Sequence, residues 1–286
     1  MTNIKFAFFG TPEVASQTLD ILLANNLLPS LIITSPDKRA GRDLKLTPSA
    51  VSIWAKDHNI KCLKPEKLDD KFLDELFHLT DQEKIDIYVV VAYGKILPET
   101  LIKYPSQKTI NVHYSLLPKY RGASPLESAI QNGENQTGVT IQEIEYKLDS
   151  GPILATQKVP IDTTTTKIKL KEELIEGGAN LLIKTLNQIK DGTINKIAQD
   201  EDQATFCKKI KKEDGLIDPQ GNDLENWNKY RAFYGWPGVY FFANKKDKNI
   251  RLKITQASLV DGKFTIEKVI PENKKEISYS DFLKQK

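Results

Sequence analysis

The sequence predicts an α/β protein: an open, mostly parallel sheet covered by helices, followed by a smaller β segment. Three observations carry this reading. Continuous apolar or β-branched runs recur at Ile4–Gly10, Ser30–Ser35 and Ile85–Val91. Amphipathic helical stretches alternate with them at the spacing of right-handed crossovers. Past Phe206 the alternation stops, and strand-like segments separated by turn residues take over. A length of 286 residues suits two domains, and the change of character divides them at 1–206 and 207–286.

The elements follow in order. Ile4–Gly10 ends in glycine and reads as a buried strand. Thr11 and Pro12 then supply an N-cap and an N1 residue for a helix with the stripe Val14, Leu19, Leu22, Leu23. Ser30–Ser35 is a second strand, and Thr47-Pro48 repeats the cap-and-proline signal for a helix to about His58. Lys61–Leu63 is a short strand, and a helix through Phe72, Leu73, Leu76 and Phe77 precedes the strand Ile85–Val91. Lys108–Tyr114, a helix near Pro125–Gln131, and the strands Val139–Glu145 and Ile153–Ile161 come next. A long helix over about Thr166–Lys190 has Gly177-Gly178 as an interior weak point. This is a Rossmann-like arrangement. Beyond it, Leu224–Phe233 is a short helix, and 239–244, 250–260 and 263–270 are strands of a small β domain resembling an incomplete barrel.

Composition narrows the function classes. Hydrophobic residues make up 40% and charged residues 28%, enough apolar material for a full core. The two cysteines, Cys62 and Cys207, are too far apart for metal spacing or a disulfide framework, which fits a reducing compartment. The opening residues lack the length and cleavage site of a signal peptide, and no run of apolar residues is long enough to span a membrane. A cytoplasmic monomer is the expectation. The formal net charge of +3 conceals an asymmetry: residues 1–206 hold 24 Lys/Arg and 27 Asp/Glu, a balance of −3, and residues 207–286 hold 17 and 11, a balance of +6. Such a basic tail suits a polyanion, although a solvated lysine-rich surface explains it equally well.

Four segments carry candidate chemistry. Asn111 and His113 lie two apart on a strand and so share a face, near the strand end where open α/β sheets build their sites. An amide and an imidazole there can donate to a developing oxyanion, and the imidazole can shuttle a proton. Asp149, in Leu148-Asp149-Ser150-Gly151, is a turn residue by composition, or a carboxylate serving His113. In Tyr93-Gly94-Lys95-Ile96-Leu97-Pro98, glycine permits close backbone approach and the apolar side chains can wall a flat ring. The stretch Ser35–Leu46 reads as a structureless, cation-rich loop in which Lys38, Arg39, Arg42 and Lys45 can hold phosphates. Lys208, Lys209, Lys211 and Lys212 cluster at the start of the basic tail. No metal-ligand cluster is recognisable.

Asn111-x-His113, Ser115-Leu116-Leu117-Pro118, Arg121-Gly122 and Asp149-x-Gly151 resemble the folate-dependent formyltransferase family. Phe8–Pro12, Ser35–Ser49, Val90–Pro98 and Arg231–Gly238 are similar to the branch whose acceptor is methionyl-tRNA, and the likeness runs over nearly all of 4–240. It implies transfer of a formyl group from 10-formyltetrahydrofolate to the α-amine of methionyl-initiator tRNA, with no metal. Asn111, His113 and Asp149 would be catalytic. Tyr93, Gly94, Ile96, Leu97 and Ser115, Leu116, Leu117, Pro118 would contact the folate. Lys38, Arg39, Arg42, Lys45 and the four lysines from Lys208 to Lys212 would meet tRNA. The family's C-terminal domain is similar to an OB-fold, whereas only about 50 residues follow Trp236-Pro237-Gly238, so this domain reads as shortened. A formyltransferase for amino-sugar nucleotides, a hydrolase of the same folate, and a catalytically silent RNA-binding protein are the rivals.

Overall fold

The first apolar run lies inside the sheet because no face of it tolerates water: all five residues of β1 (Phe6–Gly10) are buried. The computed structural model describes residues 4–40, 44–245 and 248–284. After β1 come α1 (Glu13–Ala24), β2 (Leu31–Ile33), β3 (Lys38–Ala40), β4 (Lys45–Thr47), α2 (Ala50–Asp57), β5 (Cys62–Leu63), α3 (Asp70–Glu83) and β6 (Ile87–Val91). Then follow α4 (Glu99–Lys103), β7 (Thr109–His113), β8 (Arg121–Gly122), α5 (Pro125–Gln131), β9 (Gln136–Glu143), β10 (Ile153–Pro160) and α6 (Lys167–Lys190). The remainder is β11 (Phe206–Cys207), α7 (Asp223–Ala232), β12 (Val239–Lys245), β13 (Lys248–Val260), β14 (Lys263–Pro271), β15 (Ile277–Ser278) and α8 (Tyr279–Lys284).

The main sheet has seven strands in the order β10-β9-β7-β6-β1-β2-β5. Neighbours from β5 to β7 are parallel, and β9 runs antiparallel to β7. The chain leaves β1 towards β2 and later returns to its other side as β6. The strand order therefore reverses at β1/β6, which opens a crevice beyond their C-terminal ends. Phe9, Leu31, Ile33, Tyr88 and Val90 meet Phe72, Leu73 and Leu76 of α3 in one apolar cluster.

Helix starts differ by a residue or two from expectation. The N-cap of α1 is Pro12, without a side-chain bond, and that of α2 is Ser49, which accepts the Ser52 N–H at 3.0 Å. Thr11 is therefore free for another use. Helix α6 runs unbroken through Gly177-Gly178. A Cβ on Gly178 would lie 3.2–3.4 Å from Val139, Val112 and Tyr114, so glycine lets the helix approach the sheet.

The chain packs into two compact units that interleave in sequence. The first comprises residues to Arg121 with Gly138–Lys158 and Glu173–Thr205; the second comprises Gly122–Thr137, Val159–Glu172 and the residues from Phe206 onward. In the second unit the strands make a four-stranded antiparallel sheet, β12-β13-β14-β15, in keeping with the small, incomplete barrel expected from the sequence. Its longest hairpin, β13–β14, carries register shifts near Gln256, where a bulge bends the ladder. Helix α7 packs on α5 and on this sheet. Arg231, 3% exposed, donates at 2.8 Å to the carbonyls of Asp162 and Thr165 and at 2.6 Å to Asn228 Oδ1. The Arg231–Gly238 motif thus serves packing within this unit.

Candidate active site

The crevice beyond β1 and β6 is bordered by three strand ends tied together. The Thr11 hydroxyl lies 3.1 Å from Ser35 Oγ after β2 and donates to the Tyr93 carbonyl after β6 at 3.2 Å. Beyond β6, Ala92 (φ 49°) and Gly94 (φ 78°) adopt the left-handed region, and both are exposed. This turn offers main-chain groups to a ligand. Lys95 anchors it by donating to the carbonyls of Pro65 (2.6 Å) and Glu66 (2.8 Å). Tyr93 turns inward against Phe9, ring centroids 5.5 Å apart, and burial pushes its phenol pKa up. Leu97 is also buried, whereas Ile96 is 88% exposed.

The loop after β7 is pinned from below. Ser115 is fully buried and donates to the Lys119 carbonyl at 2.6 Å. Thr140 of β9 donates to the Ser115 carbonyl at 2.7 Å and accepts the Leu117 N–H at 3.1 Å. Leu117 is buried; Leu116 and Pro118 are half-buried. Of the eight residues expected at the folate, Gly94 and Ile96 are thus exposed, Leu116 and Pro118 half-buried, and Tyr93, Leu97, Ser115 and Leu117 sit inside the framework.

The polar cluster lies next to this loop. β7 and β9 pair Asn111 with Gln142 and His113 with Thr140, so alternation puts all four on one face. Asn111 is half-buried and His113 is 5% exposed. His113 Nε2 is 2.9 Å from the Tyr120 carbonyl. A carbonyl only accepts, so Nε2 carries a hydrogen and Nδ1 is the nitrogen left for chemistry. Asp149 Oδ2 stands 3.8 Å from that Nδ1. The group that orients the imidazole by a hydrogen bond is therefore Tyr120, with the Asp149 carboxylate flanking Nδ1. Burial pushes the His113 pKa below the ordinary imidazole value, against the opposing pull of Asp149 and the Tyr120 carbonyl.

Asp149 itself is in left-handed backbone, φ 47°. Gln142 Nε2 donates to its Oδ1 at 3.0 Å. Gln199 Nε2 donates to the carbonyls of Asp149 (2.9 Å) and Gly151 (2.7 Å) and to Gln142 Oε1 (3.2 Å). Arg121, fully buried, donates to Gln199 Oε1 through Nε (3.1 Å) and Nη2 (2.8 Å) and to Glu201 Oε1 at 2.7 Å. Lys147 also pairs with Glu201, and the two cations pull that carboxyl down to about 2. The sequence reading missed Thr140, Gln142 and Gln199. Period-two alternation of two polar residues in the apolar strand β9 was the available signal for the first two. Gln199, in an irregular segment, carries none.

The cationic segment is structured where described. β3 and β4 form an antiparallel hairpin, in place of the structureless loop expected. Lys38, Arg39 and Lys45 are exposed on it, as are Leu44 and Leu46; Arg42 lies outside the described residues. In the second unit Lys208, Lys209, Lys211 and Lys212 are all exposed. Among the described residues no group of three or more His, Cys, Asp or Glu could hold a metal ion, and no helix is long and apolar enough to cross a membrane.

A buried imidazole, an amide and a carboxylate beside a crevice make an arrangement for acyl transfer through a tetrahedral intermediate. The chain belongs to the formyl transferase family: residues 3–186 match the model described as formyl transferase, and residues 209–267 match that of its C-terminal domain. Within that family it is similar to methionyl-tRNA formyltransferases. The one from Sulfurihydrogenibium sp. is 42% identical over 257 residues, 90% of this chain and 82% of that protein. The one from Thermotoga maritima is 35% identical over 258 residues, 90% of this chain and 80% of that protein. Solved structures share the fold. An N-formyltransferase from Helicobacter canadensis, in complex with folinic acid and dTDP-3-aminofucose, has a TM-score of 0.68 at 23% identity, covering 90% of this chain and 88% of that one. HypX from Aquifex aeolicus with tetrahydrofolic acid has a TM-score of 0.62 at 16% identity, covering 99% of this chain and 47% of that one.

Proposed function

We propose that this chain transfers the formyl group of 10-formyltetrahydrofolate to the α-amine of methionyl-initiator tRNA, giving formylmethionyl-tRNA. The observation that carries the reading is the Asn111–His113–Asp149 cluster, with Asp149 Oδ2 3.8 Å from His113 Nδ1, in a chain 42% identical to a methionyl-tRNA formyltransferase. The folate is a consumed substrate. The exposed main chain of the Ala92–Gly94 turn and the half-buried Leu116 and Pro118 fit a flat ring with a polar edge.

The neutral amine attacks the formyl carbon, a C–N bond forms, and negative charge develops on the formyl oxygen. Asn111 donates to that oxygen, and a protonated His113 donates through Nδ1. Collapse breaks the bond to the folate nitrogen, and the proton lost by the amine reaches that nitrogen through Asp149 and water. Removing one donor to such an oxyanion costs on the order of 10²–10³ in rate.

Lys38, Arg39, Arg42 and Lys45 act at the acceptor end of the tRNA, and Lys208, Lys209, Lys211 and Lys212 at its phosphates. Residues 1–206 carry catalysis and 207–286 hold RNA, and the chain acts as a cytoplasmic monomer. The support for this division is the charge balance of −3 against +6 and the exposure of the described cations. The test is radiolabelled formyl transfer to initiator and elongator methionyl-tRNA. His113→Ala abolishes turnover and leaves tRNA affinity largely intact; near-normal turnover removes His113 from the mechanism.

A further inference from the structure

Asp149 cannot hold its position unaided. It is a non-glycine residue in left-handed backbone at φ 47°, in a loop joining two strands. What fixes it is a run of hydrogen bonds whose direction is set at one end. Arg121 has only donors to offer and is fully buried. Its Nε and Nη2 both reach one atom of Gln199, which must therefore be the amide oxygen, at 3.1 and 2.8 Å. The Gln199 NH₂ then faces the other way, onto the carbonyls of Asp149 and Gly151 and onto Gln142 Oε1. That contact turns the Gln142 amide so that its NH₂ meets Asp149 Oδ1 at 3.0 Å. One carboxylate oxygen is thereby held, and Oδ2 stands 3.8 Å from His113 Nδ1. Six residues further on, the same segment holds the imidazole's partner. Thr205 Oγ1 accepts the Tyr120 N–H at 2.9 Å, and the Thr205 carbonyl accepts the Arg121 N–H at 2.8 Å.

We infer that Gln199 and Gln142 are positioning residues for the proposed formyl transfer: Arg121 sets their amide polarity, and the segment Gln199–Thr205 fixes Asp149 and His113 relative to each other. The inference rests on the formyltransferase reading for its kinetic consequence alone. The geometry itself makes the two amides a one-way donor relay ending on Asp149. A glutamate at position 199 keeps the acceptor for Arg121 and nearly the same shape, but it reverses the relay, because it has no hydrogen for Gln142 or for the two loop carbonyls.

The test compares Gln199→Glu and the near-isosteric Gln142→Leu with the wild-type chain, each checked for folding by thermal melting. Both variants lower kcat about 10–100-fold, the scale of a misplaced catalytic group, while KM for folate and for methionyl-tRNA stays within about twofold. The His113 ring is followed by NMR titration; the chain has three histidines, so its signal is assignable through His58 and His78 variants. Asp149 is the ionisable side chain whose charge acts on His113 among the described residues. Its displacement moves the His113 titration to lower pH in Gln142→Leu, which adds no charge; in Gln199→Glu the new carboxylate pulls the other way, so that variant is read by kcat. A Gln199→Glu protein with wild-type kcat, or a Gln142→Leu protein with wild-type kcat and an unmoved His113 titration, overturns the inference, since a role in seating Arg121 alone predicts that result. If Gln199→Glu does not fold, Gln142→Leu, which leaves Arg121 untouched, decides by the same two readouts. Should the wild-type chain itself form no formylmethionyl-tRNA, the proposed function fails, while the titration, which needs no substrate, still decides the positioning role.

Discussion

At the scale of single residues, His113 combines a buried position with the change of charge that the proposed mechanism asks of it. Burial holds its pKa below the ordinary value of about 6.5. The unfolded chain therefore binds the proton at higher pH than the folded one, and stability rises with pH between the two values. The contribution is fully present above about pH 6.5 and is lost as pH falls through the folded pKa. Thermal unfolding followed by circular dichroism from pH 7.5 down to about 5 tests this. The wild-type midpoint falls on acidification, and His113→Gln flattens that part of the curve. An unchanged slope in the variant assigns the acid sensitivity elsewhere. The pair Asn111 and His113 was legible from alternation on one strand. The His113 partner Tyr120 was not, because its contribution is a main-chain carbonyl and any residue type supplies one.

At the scale of elements, the strands and helices of the first unit follow from apolar periodicity, and the misreadings have physical causes. Thr11 looks like a helix cap, but its hydroxyl ties the ends of β2 and β6, so tertiary contact overrides the local preference. The cationic segment between Ser35 and Leu46 carries only the short alternation of Leu44 and Leu46, yet it pairs as β3 and β4; cross-strand backbone bonds need no particular side chain. Gly178 shows the same limit. A glycine inside a helix lowers propensity, and only the nearby Val139, Val112 and Tyr114 reveal why it is there. Gly178→Leu overpacks that contact and destabilises the fold by about 1–3 kcal/mol, read as a shift of the urea midpoint. A midpoint equal to wild type means that α6 can move off the sheet without loss.

At the scale of the whole chain, charge separates the two substrates. Lys38, Arg39 and Lys45 of the hairpin and the four lysines of the Lys208–Lys212 cluster are exposed, and under the proposed function they would meet phosphates through screened attraction. KM for methionyl-tRNA therefore climbs steeply between about 50 and 200 mM salt, while KM for the folate changes little. Replacing Lys208, Lys209, Lys211 and Lys212 together by Gln flattens the tRNA salt dependence and leaves folate KM in place. A salt slope unchanged by that replacement would mean that these lysines do not meet the tRNA backbone. The charge asymmetry and the small β segment were visible in the sequence; the short fourth strand β15 was not, because two residues carry no period to read.

The interleaving of the two units bears on how the chain is made. Helix α7, near the C-terminus, packs on α5, which was translated some ninety residues earlier, as the ranges Pro125–Gln131 and Asp223–Ala232 show. On a ribosome, α5 emerges long before its partner exists and must wait, with the first unit completed around it in sequence. A fragment beginning at 207 would carry α7 and the C-terminal strands without α5, the helix on which α7 packs. The second unit is thus the last part of the protein to become whole, and vectorial synthesis gives the first unit time to settle before the basic segment arrives.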